Sequence, residues 1–132
     1  MKMDTRLNLG ENSSINSDVL ELLLNNKKLT ESAKPLLMML LEDVASSGFR
    51  NRKTTLSADD YMQLFGLESR ETAIEQLERD IDVLFSISIN YSNERSEIIT
   101  WVMDGYRFDS NGDIDVAFSR SFVDFCRNPQ EL

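Results

Sequence analysis

The chain has 132 residues and a formal net charge of −9 at pH 7, from 14 Lys and Arg against 23 Asp and Glu. This length suffices for one domain with its own hydrophobic core, and the negative charge opposes unspecific attraction to nucleic acid or to an anionic membrane. The absence of histidine excludes histidine metal sites and Ser-His or Cys-His catalysis, and a single cysteine cannot form an internal disulfide. We therefore expect a cytoplasmic protein without enzymatic activity, metal or cofactor.

Polar residues with balanced charge occupy positions 1–16, which predicts a flexible N-terminal arm. Regular patterns of apolar residues extend over positions 17–127, and we interpret this segment as one domain. Asn-Pro then ends the pattern, so residues 128–132 are expected to form a C-terminal tail or linker.

Two helices are predicted at the start of the domain. Ser17 can cap a short helix that ends near Asn25, and a longer helix begins at Thr30 or Ser32 and reaches about Ser46. Six consecutive Leu and Met residues make the middle of the longer helix apolar nearly all round. Such a helix is normally buried on several sides, either as a core helix alone or as a core helix that also offers one face to a partner.

A strand, a compact helix, a turn and a second helix are predicted next. Residues 54–56 suit a short strand, Ser57 caps a helix that stops at Gly66, and Ser69 caps a second helix over Arg70–Phe85. The second helix has one apolar stripe, formed by Ile74, Leu77, Ile81 and Leu84.

The apolar period then changes to two, which is typical of half-buried strands. Strands are predicted over residues 87–91, 98–108 and Ile114–Phe118. Residues 93–96 form a polar turn between the first two strands. Residues 110–113, with Asn-Gly at their centre, form a hairpin turn before the third.

Ser119 can cap a last short helix that includes Phe122 and Phe125. The order strand, helix-turn-helix and antiparallel strands is the layout of a winged helix. The predicted fold class is therefore α+β, a winged helix with an N-terminal helical extension and a three-stranded antiparallel sheet. Domains of this kind are used mostly to bind nucleic acid or to pair protein subunits.

The second helix of this helix-turn-helix is a poor reader of the major groove. In a DNA-reading domain this helix contacts base edges and phosphates. Here two arginines stand against five carboxylates, so its charge opposes binding to phosphate. Positive charge is found in loops instead, either as solvated charge or as a patch that contacts DNA backbone. The DNA-backbone candidates are Arg50, Arg52, Lys53, Lys27, Lys28 and Arg95.

Two acidic patterns imitate catalytic or metal sites. Residues 109–113 are similar to the start of a calcium loop, but Ile114 stands where such a loop needs Gly and Arg120 where it needs Glu, so a hairpin turn is favoured. Asp104, Asp113 and Asp115 could converge as in a metal-dependent nuclease, although the exposed face of an antiparallel sheet explains them more simply.

The chain resembles the N-terminal winged-helix (dimerisation) domain of plasmid replication initiator proteins, the iteron-binding initiator family. The similarity covers about residues 29–125, in ordered apolar, turn and aromatic positions. The matching stretches after Leu29-Thr30 are T-L-S-A-D-D-Y-M-Q-L-F-G-L, V-L-F-S-I-S-I-N-Y and W-V-M-D-G-Y-R-F-D-S-N-G-D-I-D-V-A-F-S.

The resemblance implies a domain that mediates dimerisation of the inactive initiator and touches the backbone of origin DNA when the protein is a monomer. In that family, a second winged helix carries out most of the recognition of the DNA sequence. Residues 128–132 are expected to lead into this missing domain, so the chain is either an excised domain or a shortened relative. The alternative function is a winged-helix transcriptional regulator or protein-interaction module.

The expected partners are a second copy of the chain, as a homodimer, and duplex DNA bound weakly through its backbone. The apolar helix over residues 36–44 and an edge strand over Ile114–Phe118 are the surfaces predicted to pair, since an exposed edge can extend a sheet across a two-fold axis. The dimer-interface candidates are Leu37, Leu40, Leu41, Val44, Ile114, Val116 and Phe118.

Overall fold

The computed structural model describes residues 15–92, 94–95 and 97–127. Within these residues the chain forms five helices and five strands. In chain order they are α1 Ser17–Leu24, α2 Ala33–Ala45, β1 Lys53–Leu56, α3 Ala58–Phe65, α4 Arg70–Phe85, β2 Ser88–Ser92, β3 Glu97–Trp101, β4 Met103–Phe108, β5 Ile114–Phe118 and α5 Arg120–Arg127. The mixed α+β class is confirmed.

The folded domain begins two residues before the predicted boundary. Asn16, not Ser17, caps α1, because its side-chain oxygen accepts a hydrogen bond from the amide of Asp18 at 2.8 Å. Ile15 is only 2% exposed and belongs to the hydrophobic core. The predicted arm is therefore wrong for these two residues, and its remainder, 1–14, lies outside the described residues, as does the predicted tail 128–132.

The helix-turn-helix has the bounds that its capping residues predict. The Ser57 hydroxyl accepts a hydrogen bond from the Asp60 amide at 3.0 Å, and the Ser69 hydroxyl accepts one from the Thr72 amide at 3.3 Å. Gly66 ends α3 in the left-handed conformation, with φ of 63°, which glycine adopts without a steric penalty.

The strands form two sheets. β1, β5 and β4 make a three-stranded antiparallel sheet in that spatial order, as the predicted fold class requires, and β2 pairs with β3 in a separate two-stranded ribbon. The single strand predicted over residues 98–108 is wrong, because the chain leaves the ribbon at Val102 and joins the other sheet. The Val102 amide donates to the Ile87 carbonyl at 3.1 Å, and its carbonyl accepts from the Ser119 amide at 3.0 Å.

β5 lies at the centre of its sheet, so its prediction as an edge strand is wrong. Val116 is paired with Thr54 of β1 on one side and with Tyr106 of β4 on the other. β1 pairs with the side of β5 that was predicted to be a free edge. A strand so distant in the chain gives no local sign of this pairing. Ile114, Val116 and Phe118 are at most 1% exposed.

α2 runs through the hydrophobic core, as its apolar sequence predicts. Its inward residues are almost fully buried and cannot reach a partner subunit while the domain is folded. This group includes the four helical dimer-interface candidates, Leu37, Leu40, Leu41 and Val44, none of which is more than 2% exposed. None of the helices in the described part of the chain is long and apolar enough to cross a bilayer.

Candidate nucleic-acid interface

α4 has an acidic outer face. Its two arginines, Arg70 and Arg79, do not offset this charge because the helix carries five carboxylates. The Arg70 guanidinium also donates a hydrogen bond to the Asn111 carbonyl. Asp80 points inward and is 3% exposed. The exposed acids of the helix are Glu71, Glu75, Glu78 and Asp82. This charge distribution makes α4 a poor surface for phosphate, in agreement with the sequence.

Five cationic residues instead surround one concavity of about 280 Å³, which we call the basic cleft. The α2–β1 loop forms one wall and α5 forms the other. The cationic residues are Arg50, Arg52, Lys53, Arg120 and Arg127. Phe49 and Val123 add apolar surface, and Asp124 is the single carboxylate among the described residues that line the cleft. The cleft therefore has a strong local excess of positive charge in an acidic chain.

Arg52 is fixed in place by the sheet. Its guanidinium donates to the Phe118 carbonyl at 3.0 Å and to the Asp104 carboxylate at 3.2 Å, and its backbone carbonyl accepts from the Phe118 amide at 2.9 Å. These bonds join the α2–β1 loop to the end of β5. Arg52 is thus a structural residue as well as part of the cleft, whereas Arg50 and Lys53 are exposed.

Ser119 fixes the other wall. Its hydroxyl accepts from the Phe122 amide at 3.0 Å, which caps α5 as predicted, and donates to the Trp101 carbonyl at 2.7 Å. Arg120 follows immediately. Sequence reasoning missed Arg120 and Arg127 because they are about seventy positions from the loop, and the only available signal was their place on a short, strongly amphipathic helix.

The other predicted DNA contacts do not line the basic cleft. Lys27 and Lys28 follow α1, where the Asn26 side chain donates to the Ser88 carbonyl at 3.0 Å. They precede α2 and the cleft loop follows it, so a 13-residue helix about 20 Å long separates the two groups. Arg95 lies exposed in the β2–β3 turn.

The carboxylates that imitate a calcium loop or a nuclease site make structural contacts instead. The Asp109 carboxylate accepts from the amides of Asn111 at 2.8 Å and Asp113 at 3.2 Å, and Gly112 has φ of 85°, so the predicted hairpin turn is confirmed. Asp104 binds Arg52 as described above. No group of three or more Cys, Asp and Glu among the described residues is arranged to hold a metal ion.

Asp115 is bound by two neighbours on the sheet. Its carboxylate accepts from the Arg107 guanidinium at 2.7 Å and from the Thr55 hydroxyl at 2.8 Å. Hydrogen bonds from these two groups hold the pKa of Asp115 below its usual value. Cys126 is 1% exposed, and burial raises the pKa of its thiol, which disfavours the reactive thiolate.

The two most exposed large apolar side chains lie on the β2–β3 ribbon, not among the predicted dimer residues. Ile99 is 66% exposed and Trp101 is 58% exposed, both on the outer face of β3. The opposite face of the ribbon packs on the domain, where the rings of Tyr91 and Phe125 are 5.1 Å apart. No strand pairs with the other edge of β3 among the described residues.

A helix-turn-helix followed by antiparallel strands defines a winged-helix domain. A family model described as "Initiator Replication protein, WH1" matches residues 16–131. The chain therefore belongs to the WH1 domain family of initiator replication proteins, and the resemblance predicted from its sequence is confirmed.

A solved structure supports the same fold. The chain is similar to the crystal structure of the MSBI1.176 WH1 domain, a replication protein isolated from a multiple sclerosis patient, with a TM-score of 0.58 and 18% sequence identity. The similarity covers 88% of this chain and 91% of that one. No curated protein matches the sequence.

Proposed function

We propose that this WH1 domain serves a plasmid or mobile-element replication initiator in the cytoplasm in two ways. It pairs with a second copy of itself, and it makes weak, sequence-independent contact with the backbone of duplex DNA. It catalyses no reaction, and another domain reads the origin sequence. Membership of the initiator family and the basic cleft support this proposal.

The basic cleft is the observation on which the DNA contact rests. Five cationic side chains line the cleft beside Asp124, and one of them, Arg52, is also paired with Asp104. The positive charge that remains is self-repulsive, and an anion between these side chains relieves that repulsion. DNA phosphates are anions of this kind, and their neutralisation releases counterions. The net charge of −9 acts in the opposite direction over longer distances, so the expected binding is weak and strongly dependent on salt.

Fluorescence anisotropy with a labelled duplex of arbitrary sequence at low salt tests the contact. The double variant Arg50→Gln/Arg120→Gln removes one cation from each wall of the cleft, and both residues are exposed. We expect affinity to fall and the slope of log K against log salt to lose about 1.8, or about 0.9 for each phosphate contact.

Lys27→Gln/Lys28→Gln is the matched control, because it removes the same charge from the far end of α2 and should leave most of the affinity. Equal losses in the two double variants would mean that only net charge matters, and an unchanged chain that binds no DNA at low salt would refute the contact itself.

The β2–β3 ribbon is the surface proposed for pairing. Ile99 and Trp101 are apolar and exposed there, on the strand whose second edge has no partner strand in the described part of the chain. Antiparallel pairing of β3 with a symmetry-related β3 about Ile99 places Glu97 opposite Trp101. This register avoids contact between like charges, so the strand is suited to a second copy of itself.

A further inference from the structure

A second concavity lies beside the basic cleft, on the outer face of the three-stranded sheet. Its volume is about 550 Å³, and Asn51 and Lys53 line both concavities. We call this second concavity the sheet trough. Lys53 stands at the junction, and Arg107 of β4 lies at the far side.

Two rows of paired residues form the sheet trough. The first row crosses the strands through Lys53, Ala117 and Gly105, and the second through Thr55, Asp115 and Arg107. The first row is low because Ala117 and Gly105 have almost no side chain. Lys53 and Arg107 are therefore diagonal corners of the trough, about 12 Å apart from the spacing of strands and residues.

Neither backbone conformation nor packing requires glycine at position 105. Gly105 is absent from the residues with positive φ, and no heavy atom lies within 4 Å of the position that a Cβ would occupy. Glycine within a strand is disfavoured by about 0.5–1 kcal/mol relative to alanine. The space above it faces solvent and is open to the backbone of another molecule.

The charges around the sheet trough suit an anionic backbone. Arg107 is 79% exposed, and its ion pair with Asp115 through one terminal nitrogen leaves other N–H donors for a second anion. Asp115 is the carboxylate of the trough lining, and Arg107 and Thr55 already occupy it. Lys53 has no acidic neighbour among the described residues in the trough's first row.

We propose that one sugar–phosphate strand of DNA leaves the basic cleft at Lys53 and crosses the sheet trough. Gly105 gives it room to approach, and Arg107 is the far phosphate contact. This inference rests on the proposed DNA contact and extends it from a single cleft to a path across the sheet. It assigns DNA contact to the outer sheet face, in place of the acidic α4.

The same anisotropy measurement tests the path with substitutions in the trough. Gly105→Glu adds a side chain and a negative charge, and we expect about tenfold weaker binding from lost phosphate contact. Gln63→Glu adds the same charge at an exposed position of α3 and is the matched control, expected to bind nearly as the unchanged chain. Gly105→Gln, which adds bulk alone, should also weaken binding.

Arg107→Gln measures the far contact, and the salt slope should fall in magnitude by about 0.9. Thermal unfolding verifies that each variant is folded. We expect all of them to fold, because Gly105 and Arg107 lie on the exposed face of the sheet.

Three results overturn the path. If both Gly105 variants bind DNA normally and Arg50→Gln/Arg120→Gln binds more weakly, the contact at the basic cleft stands and the contact at the sheet trough is refuted. Weaker binding by Gly105→Glu but not by Gly105→Gln means that DNA does not approach the trough floor. Absence of binding by the unchanged chain defeats the cleft contact and the path together.

Discussion

Asp80 joins three helices through two hydrogen bonds, of which one is buried and the other partly buried. Its carboxylate, 3% exposed on α4, accepts from the Tyr61 hydroxyl of α3 at 2.5 Å and from the Ser32 hydroxyl at the start of α2 at 2.8 Å. A buried carboxylate without such donors would be strongly destabilising. The two bonds therefore fix the helix-turn-helix against the core helix.

Tyr61→Phe removes one of these bonds and should lower the free energy of unfolding at pH 8 by about 1–3 kcal/mol, since Ser32 is then the remaining side-chain donor to Asp80 among the described residues. Burial, and then the hydrogen bond to Asp80, raise the pKa of Tyr61 above its unfolded value of 10.0. The stability from Tyr61 is thus complete below pH 10 and is lost above it, as the unfolded chain releases its proton.

Urea unfolding of the unchanged chain and of Tyr61→Phe between pH 8 and 11 measures this effect. We expect their difference to shrink above pH 10 by about 1.4 kcal/mol per pH unit. Subtraction cancels the other titrating groups, including Tyr106, whose pKa burial and the nearby Asp82 also raise. A difference that stays constant through pH 11 would contradict the assignment.

The inward position of Asp80 was available in the sequence. It is three residues after Leu77 and four before Leu84, and both of these residues belong to the apolar stripe of α4. A count of acids over the whole helix hides this position. The donors could not be predicted, because Ser32 and Tyr61 reach Asp80 only through the packing of separate helices.

At the scale of elements, local signals predicted more than distant ones. Ser57, Gly66 and Ser69 fixed the ends of α3 and α4, because caps act on amides within three residues. The break at Val102 and the central place of β5 depend on partners far along the chain, and an alternating pattern is the same on an edge strand and a central one. For this reason the sequence predicted the loop wall of the basic cleft but not the wall that α5 forms.

Ser119 connects two surfaces, since it caps α5 and also binds the Trp101 carbonyl on the ribbon. Ser119→Ala should cost about 1–2 kcal/mol of stability from the lost cap. It should also weaken DNA binding, because Arg120 begins the freed first turn. Urea unfolding and anisotropy measure the two effects.

Ser57→Ala is the matched control, because it removes the cap of α3, away from the basic cleft. A similar loss of stability with unchanged DNA affinity is expected for it. If the two alanine variants bind DNA equally well, Ser119 does not position the cleft wall.

For the whole molecule, charge and apolar surface are separated. Exposed carboxylates cover α4, cationic residues meet in the basic cleft, and exposed Ile99 and Trp101 lie on the ribbon. The net charge of −9 describes none of these surfaces individually. Composition predicted poor DNA binding overall, and the fold brings five of the fourteen Lys and Arg residues together in the basic cleft.

The ribbon should determine the oligomeric state. In the proposed pairing Ile99 meets Ile99 of the second copy, so Ile99→Glu would place two carboxylates opposite each other and remove apolar contact. Sedimentation equilibrium at high micromolar concentration should show a dimer for the unchanged chain and a monomer for Ile99→Glu.

Phe85→Ser is the control, because Phe85 is also an exposed apolar residue, 38% exposed, but lies at the end of α4 beside Tyr106. It should remain dimeric. A monomeric unchanged chain would remove the pairing altogether, whereas dimers of Ile99→Glu would move it to another surface. The seven core residues first predicted for that role would still be excluded, because they become accessible only when the domain unfolds.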